Sequence, residues 1–219
     1  VAGDQVLQDR LDVVRHTFQQ SLHVATQPIA TPTSATLEAA GPSADDELSA
    51  EAERARKAEA GRFGAAFGVV VHRALALLLS DSAEAVPQAV SLAAEEVGLT
   101  GHRAEAEADV QRALDTLRRF GILGNPSVTL APEYPLAVRW KHGKLLSGFA
   151  DLLILGTGTA TVIDFKTDVP APGPLTTAHP RYAAQLRLYG DLLQAANLVG
   201  SRQLRLGLLF TASGTLRWL

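Results

Sequence analysis

One short segment of the sequence places an acid and a base at the end of an apolar strand. Residues 161–168 read TVIDFKTD, in which a β-branched start is followed by Asp164 and Lys166. Side chains two residues apart on a strand point to the same face, so the carboxylate and the ammonium lie side by side. This pattern suits either an ion pair on a surface strand or a polar site that needs both groups.

A second acid is expected directly across from Asp164. If residues 156–159, which read GTGT, form a hairpin loop, Asp151 pairs with Asp164, and the Cβ atoms of the two acids are roughly 5 Å apart. The predicted pairs between that pair and the loop are Leu155 with Ala160, Ile154 with Thr161, Leu153 with Val162, and Leu152 with Ile163. Opposed like charges destabilise a sheet, so Lys166 or a bound divalent cation is needed to relieve the repulsion. A register shifted by one residue would remove the pair.

Two carboxylates, a divalent cation and a lysine together suit phosphodiester hydrolysis. Mg²⁺ is held in proteins by one or two carboxylates, with waters and substrate phosphate completing its shell. Such a metal polarises the phosphoryl oxygen and generates hydroxide from bound water. A nearby lysine orients that water or stabilises developing negative charge. From spacing alone, a purely structural cluster of two acids and a lysine is the alternative.

The segments around these residues predict a sheet with helices packed on it. Three of them are strand-like and are separated by the turn signals KHG and GTGT: SVTLAPEYPLAVRW (127–140), KLLSGFADLLIL (144–155) and TATVIDFKT (159–167). A Pro-rich loop then leads to a helix over 181–197, with Pro180 at its start. The chain closes as a hairpin around Ser213 and Gly214. Strands, a helix and further strands predict a mixed α/β fold with a central β-sheet flanked by helices.

The N-terminal part differs in character from the rest. Apolar residues recur at helical spacing and predict an amphipathic helix over 1–25: Leu7, Leu11, Val14, Phe18 and Leu22. Residues 26–44 are rich in Pro, Ser, Thr and Ala, which is typical of a linker or a long loop. A helix-rich section follows over 45–122, and we expect it to form one domain with the strands, over 45–219.

Composition narrows the possible classes of protein. The 219 residues include no cysteine, which excludes disulfides and cysteine-ligated zinc or iron–sulfur centres. The longest apolar run is interrupted by His72 and Arg73 and is too short to span a membrane, and no signal peptide opens the chain, so we expect a cytoplasmic protein without a membrane partner. The chain starts at Val1 and lacks methionine, which suggests a piece of a longer polypeptide. The remaining histidines have no zinc-like spacing and are expected to be solvated or in loops: His16, His23, His102, His142 and His179.

Three segments in order resemble a known family. GFADLLIL (148–155), TVIDFKTD (161–168) and YAAQLRLY (182–189) are similar to the RecB-like nuclease branch of the PD-(D/E)XK superfamily, and most of all to the C-terminal nuclease domain of AddA and RecB helicase–nucleases. The resemblance covers about 63–219, and its specificity comes from Gly148, Gln185 and Tyr189 at fitting distances from the acids. It implies a restriction-endonuclease-like core with a helical N-terminal section.

The resemblance also implies roles for the central residues. Asp151 and Asp164 would be the metal-binding acids, Lys166 the catalytic lysine, and the carbonyl of Phe165 a further metal ligand. The segment GVVVHRAL (68–75) resembles the family's upstream Gly-x-x-x-His motif, which makes His72 the imidazole ligand. A lone histidine on an apolar helix is otherwise a core or surface residue.

Three more positions receive roles with an alternative beside each. Glu133 matches an acidic position on the strand before the hairpin and would support the metal or its water, although the prolines beside it equally suit an edge strand. Gln185 and Tyr189 are four residues apart on a helix and share a face, near the site, in contact with DNA or with the surroundings of the lysine. Simple core packing is the alternative for Tyr189.

The function implied is that of a deoxyribonuclease that depends on Mg²⁺ or Mn²⁺ and holds no iron–sulfur cluster. It would hydrolyse single-stranded DNA, as an exonuclease or an endonuclease, within a DNA-end-processing helicase–nuclease of double-strand-break repair and recombination. No Gly-x-x-x-x-Gly-Lys-Ser/Thr loop occurs in the sequence, so the helicase motor is expected upstream in the same polypeptide, with a second nuclease or helicase subunit as a further partner. The alternatives are a catalytically inactive DNA-holding or subunit-docking module and a standalone nuclease.

Overall fold

The computed structural model of the protein describes residues 62–80, 84–139 and 145–219. Along these residues the helices and strands are α1 (Ala65–Ser80), α2 (Val86–Val97), α3 (Arg103–Arg119), β1 (Val128–Arg139), β2 (Leu145–Gly156), β3 (Thr159–Lys166), α4 (Leu175–Ala178), α5 (Pro180–Ala195), β4 (Gln203–Phe210) and β5 (Thr215–Trp218). The predicted helix over 1–25, the linker over 26–44, the first residues of the predicted domain and the KHG turn lie outside the described residues.

The strands form one mixed sheet in the order β1-β2-β3-β4-β5. Neighbouring strands run antiparallel, except that β3 and β4 are parallel. Parallel neighbours need a long crossover, and α4 and α5 supply it between β3 and β4. The predicted mixed α/β fold, with a central sheet flanked by helices, is therefore confirmed. The predicted Pro-rich loop differs in one respect, because it carries the short helix α4.

Helices cover both faces of the sheet. Helices α1, α2 and α3 pack on one face, where Phe67, Leu75 and Leu117 belong to the same buried cluster as Ile163 and Phe165. Helix α5 covers part of the other face through a second cluster, whose fully or almost fully buried members include Leu153, Val162, Leu192 and Leu193. Helices α1 and α5 contact the strands directly, whereas α2 and α3 bury their apolar stripes largely against α1 and each other. Among the described helices, none has the length and apolar character that crossing a membrane requires.

The hairpin between β2 and β3 has the predicted register. All four predicted pairs are present, from Leu155 with Ala160 to Leu152 with Ile163. The predicted fifth pair, Asp151 with Asp164, is not part of the ladder, which ends at Leu152 and Ile163. The two strands separate at the point where the acids begin.

Both β1 and β2 change the face that they present near this point. In β2, Leu152 packs with α1–α3, whereas Ala150, two residues earlier, packs on the α5 side. In β1, Leu130 packs with α1–α3, whereas Tyr134, four residues later, packs on the α5 side. Residues at even spacing on a regular strand share a face, so each strand slips by one residue in between.

The two slips meet at one position of the β1–β2 ladder. The ladder pairs Pro132 with Leu152 and Tyr134 with Ala150, and it skips the pair between them, Glu133 with Asp151. Glu133 adopts φ 47°, a left-handed conformation that is uncommon for a residue with a side chain. Local irregularities of this kind re-aim side chains next to functional sites. Here Glu133 and Asp151, which would face each other, both leave the regular alternation of side chains between the two faces of the sheet.

Candidate active site

Three potential metal ligands from three elements converge beside the interrupted ladder. His72 of α1, Glu133 of β1 and Asp151 of β2 each offer a ligand atom, and these atoms all lie within 4.8 Å of one another. One imidazole nitrogen with carboxylate oxygens is a suitable donor set for a divalent cation such as Mn²⁺ or Mg²⁺. The fold thus brings together three residues that are distant in sequence. His72 precedes Glu133 by 61 positions, and Glu133 precedes Asp151 by 18.

His72 and Asp151 influence each other's charge. The Nδ1 atom of His72 lies 3.4 Å from Oδ1 of Asp151. Burial alone lowers the pKa of His72, but the charge of Asp151 and their contact outweigh burial and leave this pKa above its ordinary value. Burial alone raises the pKa of Asp151, but His72, Lys166 and a backbone N–H outweigh it and hold this pKa below its ordinary value. Asp151 is therefore ionised at neutral pH and available as a ligand.

The backbone of Phe165 fixes the second oxygen of Asp151. The N–H of Phe165 donates a hydrogen bond to Oδ2 of Asp151 at 2.7 Å. The N–H and C=O of one strand residue point towards the same neighbouring strand. The carbonyl of Phe165 therefore also faces β2 and Asp151, as the proposed role of this carbonyl as a ligand requires.

Asp164 lies next to the group of three but is not a member of the group found among the described residues. Its side chain is 2% exposed, and Oδ2 lies 2.8 Å from Nζ of Lys166. Within the described residues, this oxygen has no hydrogen bond of good geometry, so the lysine contact is an ion pair. Burial, opposed by Lys166 and reinforced by Asp151, raises the pKa of Asp164 to about 6. A buried, incompletely satisfied carboxylate is a group that a bound cation would stabilise.

A chain of side chains links Lys166 to α5. Nζ of Lys166 donates to Oε1 of Gln185 at 3.2 Å, and Nε2 of Gln185 donates to the hydroxyl of Tyr189 at 3.3 Å. Gln185 and Tyr189 therefore share a helix face, as their spacing predicts. Tyr189 is 5% exposed and belongs to the cluster on the α5 side, so it combines core packing with a polar contact towards the site. Burial raises the pKa of Tyr189, and its hydroxyl stays protonated.

A cavity of about 810 Å³ opens over these residues. Its lining includes His72, Glu133, Phe165 and Lys166, together with Arg73 and Tyr182. The sequence alone predicted no role for Arg73 or Tyr182. Two signals in the sequence could have predicted their place at the site. Arg73 is adjacent to His72, and Tyr182 precedes Gln185 by three residues and so shares its helix face.

Tyr182 is held firmly at the edge of this cavity. Its hydroxyl donates a short hydrogen bond to Asp168, and Nζ of Lys166 lies over its ring, 4.8 Å from the ring centroid. His179 stacks on the ring with the centroids 5.5 Å apart, and Nε2 of His179 accepts a hydrogen bond from the N–H of Ala171 at 3.0 Å. His179 lies in the bend between α4 and α5, as expected of a loop residue, and its ring also packs against the wall of the site.

His102 is exposed and lies in the connection just before α3, as expected of a solvated or loop residue. Its ring stacks on Phe63 with the centroids 4.0 Å apart, immediately before α3 begins. This contact packs the start of α3 against Phe63, which lies just before α1. His102 therefore contributes packing between the start of α3 and Phe63 and is not a member of the candidate metal-ligand group that the described residues form.

The sheet carries two acids and an Asp-x-Lys segment, and helix α1 adds a histidine beside them, a donor set that suits a divalent cation. Residues 47–216 match the PD-(D/E)XK nuclease superfamily, and the chain belongs to this superfamily. The match confirms the nuclease resemblance and the restriction-endonuclease-like fold class. Members of the superfamily are generally metal-dependent nucleases. Comparison with curated proteins gave no match.

Proposed function

We propose that this protein is a deoxyribonuclease domain that hydrolyses phosphodiesters with a divalent cation. The observation that carries the proposal is the convergence of His72, Glu133 and Asp151 beside the Asp164–Lys166 ion pair. The described residues form this arrangement at the point where the β1–β2 and β2–β3 ladders are interrupted, and a cavity gives access to it.

The cation would be held by the imidazole of His72 and the carboxylates of Asp151 and Glu133. The carbonyl of Phe165 would contribute from the β3 side, since its N–H already fixes Asp151. Asp164 would complete the site from beneath, where it is buried against Lys166. When bound, Mg²⁺ or Mn²⁺ supplies polarisation of the phosphoryl oxygen and acidification of a coordinated water.

Lys166 would act on the substrate rather than on the cation. Its ammonium group is held by Asp164 and Gln185 and lines the cavity, where it would orient the attacking water and stabilise negative charge on the phosphate. Gln185 is then a positioning residue for Lys166, and Tyr189 supports Gln185. Arg73, 45% exposed at the cavity and paired with Glu96, would add positive charge for the nucleic-acid backbone.

We further propose an AddA- or RecB-type context for the domain. In that context it acts as an exonuclease on single-stranded DNA during double-strand-break repair and recombination, in the cytoplasm. The motor would lie upstream in the same polypeptide, and a second nuclease or helicase subunit would join it. Support comes from the three resembling segments and from the lack of cysteine, which favours this type over the branch of these nucleases in which four cysteines hold an iron–sulfur cluster. A coding region upstream without a Gly-x-x-x-x-Gly-Lys-Ser/Thr motif would contradict this context but not the nuclease activity.

The first experiment is cleavage of labelled linear single-stranded DNA, duplex DNA and RNA, with Mg²⁺ or Mn²⁺, by the wild type and Lys166→Ala. Arg118→Ala is the matched control, because Arg118 is exposed and pairs only with Asp115 among the contacts described for it. We expect metal-dependent cleavage of DNA, most of all single-stranded, that is lost in Lys166→Ala and retained in Arg118→Ala.

A metal titration by calorimetry separates the two functions that share this fold. An inactive DNA-holding or docking module would show no cleavage by any variant and no divalent binding at the site. Divalent binding that Asp151→Ala abolishes, without cleavage by the isolated domain, would point to a nuclease that needs its motor. Cleavage that survives Lys166→Ala would contradict the role given to this lysine.

A further inference from the structure

The helix α3 contains a buried charged residue that the candidate active site does not use. Asp109 is 0% exposed. Its Oδ1 accepts hydrogen bonds from Arg62, at 2.6 Å, and from Arg112, and its Oδ2 accepts one from the hydroxyl of Thr211 at 2.9 Å. Taking a carboxylate out of water is costly, and the hydrogen bonds that both oxygens of Asp109 accept offset that cost.

Thr211 connects this network to the end of β3, where Lys166 lies. The N–H of Thr211 donates to the carbonyl of Lys166 at 2.8 Å. Thr211 directly follows Phe210, which pairs with Lys166 at the end of the parallel β3–β4 ladder. Its hydroxyl lies 2.9 Å from Oδ2 of Asp109 and 3.4 Å from the carbonyl of Lys166, so its shorter hydrogen bond is to Asp109.

Arg112 closes the network from the side of α3. Its Nη2 donates to Asp109, and its Nε donates to the carbonyl of Thr211 at 3.1 Å. Thr211 is thus hydrogen-bonded at three groups: its hydroxyl to Asp109, its carbonyl to Arg112 and its N–H to the carbonyl of Lys166. A shift of the end of β3 would have to break a buried, charge-assisted network rather than a single hydrogen bond.

We propose that Asp109, Thr211 and Arg112 form a positioning network that holds the backbone of Lys166, and so aims its ammonium group at the cavity. The network acts through Thr211, and among the hydrogen bonds described for its three members, those from Thr211 to the carbonyl of Lys166 are the link to the cavity lining. Its effect on catalysis rests on the proposed nuclease function, whereas its effect on the position of Lys166 does not.

The same helix offers a matched control. The hydroxyl of Thr116 donates to the carbonyl of Gly214 at 2.9 Å and so ties α3 to the β4–β5 turn. Thr116 and Thr211 are both buried, at 2% and 0% exposure, and valine replaces either at nearly equal volume. Only Thr211 leads to Lys166, so the two variants separate positioning from general loss of stability.

The experiment compares Thr211→Val, Thr211→Ser and Thr116→Val by two readouts. The first is kcat and KM for DNA cleavage, with the divalent affinity from calorimetry. The second is the ¹³Cε signal of Lys166 in the metal-free protein at one fixed pH. It is tractable because the sequence has only three other lysines, Lys57, Lys141 and Lys144, and Lys166→Arg assigns it.

We expect Thr211→Val to lower kcat at least tenfold, to leave KM and metal affinity within twofold, and to displace the Lys166 signal. Thr211→Ser and Thr116→Val should stay within twofold of the wild type in kcat and keep the Lys166 signal in place. Equal behaviour of Thr211→Val and Thr116→Val in kcat and in the Lys166 signal overturns the proposal.

Two further outcomes are also decisive. If the wild type neither cleaves DNA nor binds a divalent cation at the site, the proposed function fails while the Lys166 signal still tests the positioning. If Thr211→Val does not fold, Arg112→Gln takes its place, because Arg112 is 40% exposed and its loss removes two contacts of the network. A wild-type Lys166 signal in folded Arg112→Gln would then overturn the proposal.

Discussion

The backbone N–H of Phe165 donates to the side chain of Asp151, 2.7 Å away, at the point where β2 and β3 stop pairing. A carboxylate thus satisfies an amide that a regular ladder would pair with a backbone carbonyl. The same bond holds one oxygen of Asp151 in place, and the other oxygen faces His72. The end of the hairpin ladder and the start of the candidate metal site are therefore the same structural feature.

Replacement of Asp151 by Asn should weaken divalent binding at least tenfold, because a neutral amide replaces the only carboxylate that contacts both His72 and Phe165 in the described residues. Calorimetry with Mn²⁺ measures the effect. Asp115→Asn is the control, since Asp115 is exposed on α3 and pairs with Arg118. Equal affinities for the two variants would remove Asp151 from the site.

Glu133 should respond to glycine and alanine in an unusual order. A side chain at φ 47° carries strain of about 1 kcal/mol or more, which glycine avoids. Glu133→Gly should therefore be more stable than Glu133→Ala by up to about 1 kcal/mol, as measured by urea unfolding.

The reverse order is expected at the exposed Ala137 of the same strand, where Ala137→Gly should lose about 0.5–1 kcal/mol. Both Glu133 variants should bind divalent cations more weakly than the wild type. A Glu133→Gly protein that is less stable than Glu133→Ala would show that the left-handed backbone is not strained.

Asp164 should make the metal-free protein less stable as the pH rises. Its pKa is about 6 in the folded state, above the ordinary 3.8, so the folded state binds this proton more tightly than the unfolded state does. The stability that the protonated form provides is complete below about pH 4 and is lost as the pH rises through about 6. The loss amounts to about 3 kcal/mol.

Asp164→Asn, which mimics the protonated form, should therefore unfold at a higher temperature than the wild type at pH 8 in chelator. The two should converge at pH 4. Saturating Mg²⁺ should narrow or reverse the difference at pH 8, because the wild type alone offers the ionised carboxylate. An equal gap between the two at pH 4 and at pH 8 would contradict the raised pKa.

Gln185 should matter more for catalysis than Tyr189 does. Gln185→Leu removes the acceptor of Lys166 and should lower kcat about tenfold with unchanged metal affinity. Tyr189→Phe removes only a hydroxyl that accepts a long hydrogen bond from Gln185, and should cost less than threefold in kcat. Single-turnover cleavage at saturating metal checks the order. A larger effect of Tyr189→Phe would point to a direct role of the phenol.

Gly207 should be intolerant of a side chain. A Cβ atom there would lie 2.9 Å from two ring atoms of Trp218, between β4 and β5. Gly207→Ala should therefore destabilise the protein by about 1–3 kcal/mol, as overpacking of a core does. Gly158→Ala in the hairpin loop, where nothing lies within 4 Å, is the control in thermal unfolding. Equal melting temperatures would mean that β5 moves aside.

The order of the elements and the β2–β3 register were predictable from the sequence, because both depend on local patterns. The apolar runs on either side of the GTGT turn fix the hairpin, and Pro180 marks the start of α5. The short helix α4 within the Pro-rich loop was not predicted. It is four residues long, too short for a periodic apolar pattern to reveal.

The assignment of site residues was only partly open to prediction. Asp151, Asp164 and Lys166 follow from strand spacing, and Gln185 with Tyr189 from helix spacing. The placement of Tyr182, Asp168 and Arg73 around the cavity was missed, because it depends on how α1 and α5 approach the sheet. The packing of His179 was missed for the same reason.

The sequence by itself determined which residues carry charge and which neighbours share a strand or a helix face, since these are properties of backbone periodicity. Only the tertiary structure decided that Glu133 and His72 join Asp151, while Asp164 turns to Lys166. This arrangement results from the one-residue slips in β1 and β2 and from the packing of α1 against the sheet. Such slips follow from long-range contacts between strands and helices, and no local pattern in the sequence encodes them.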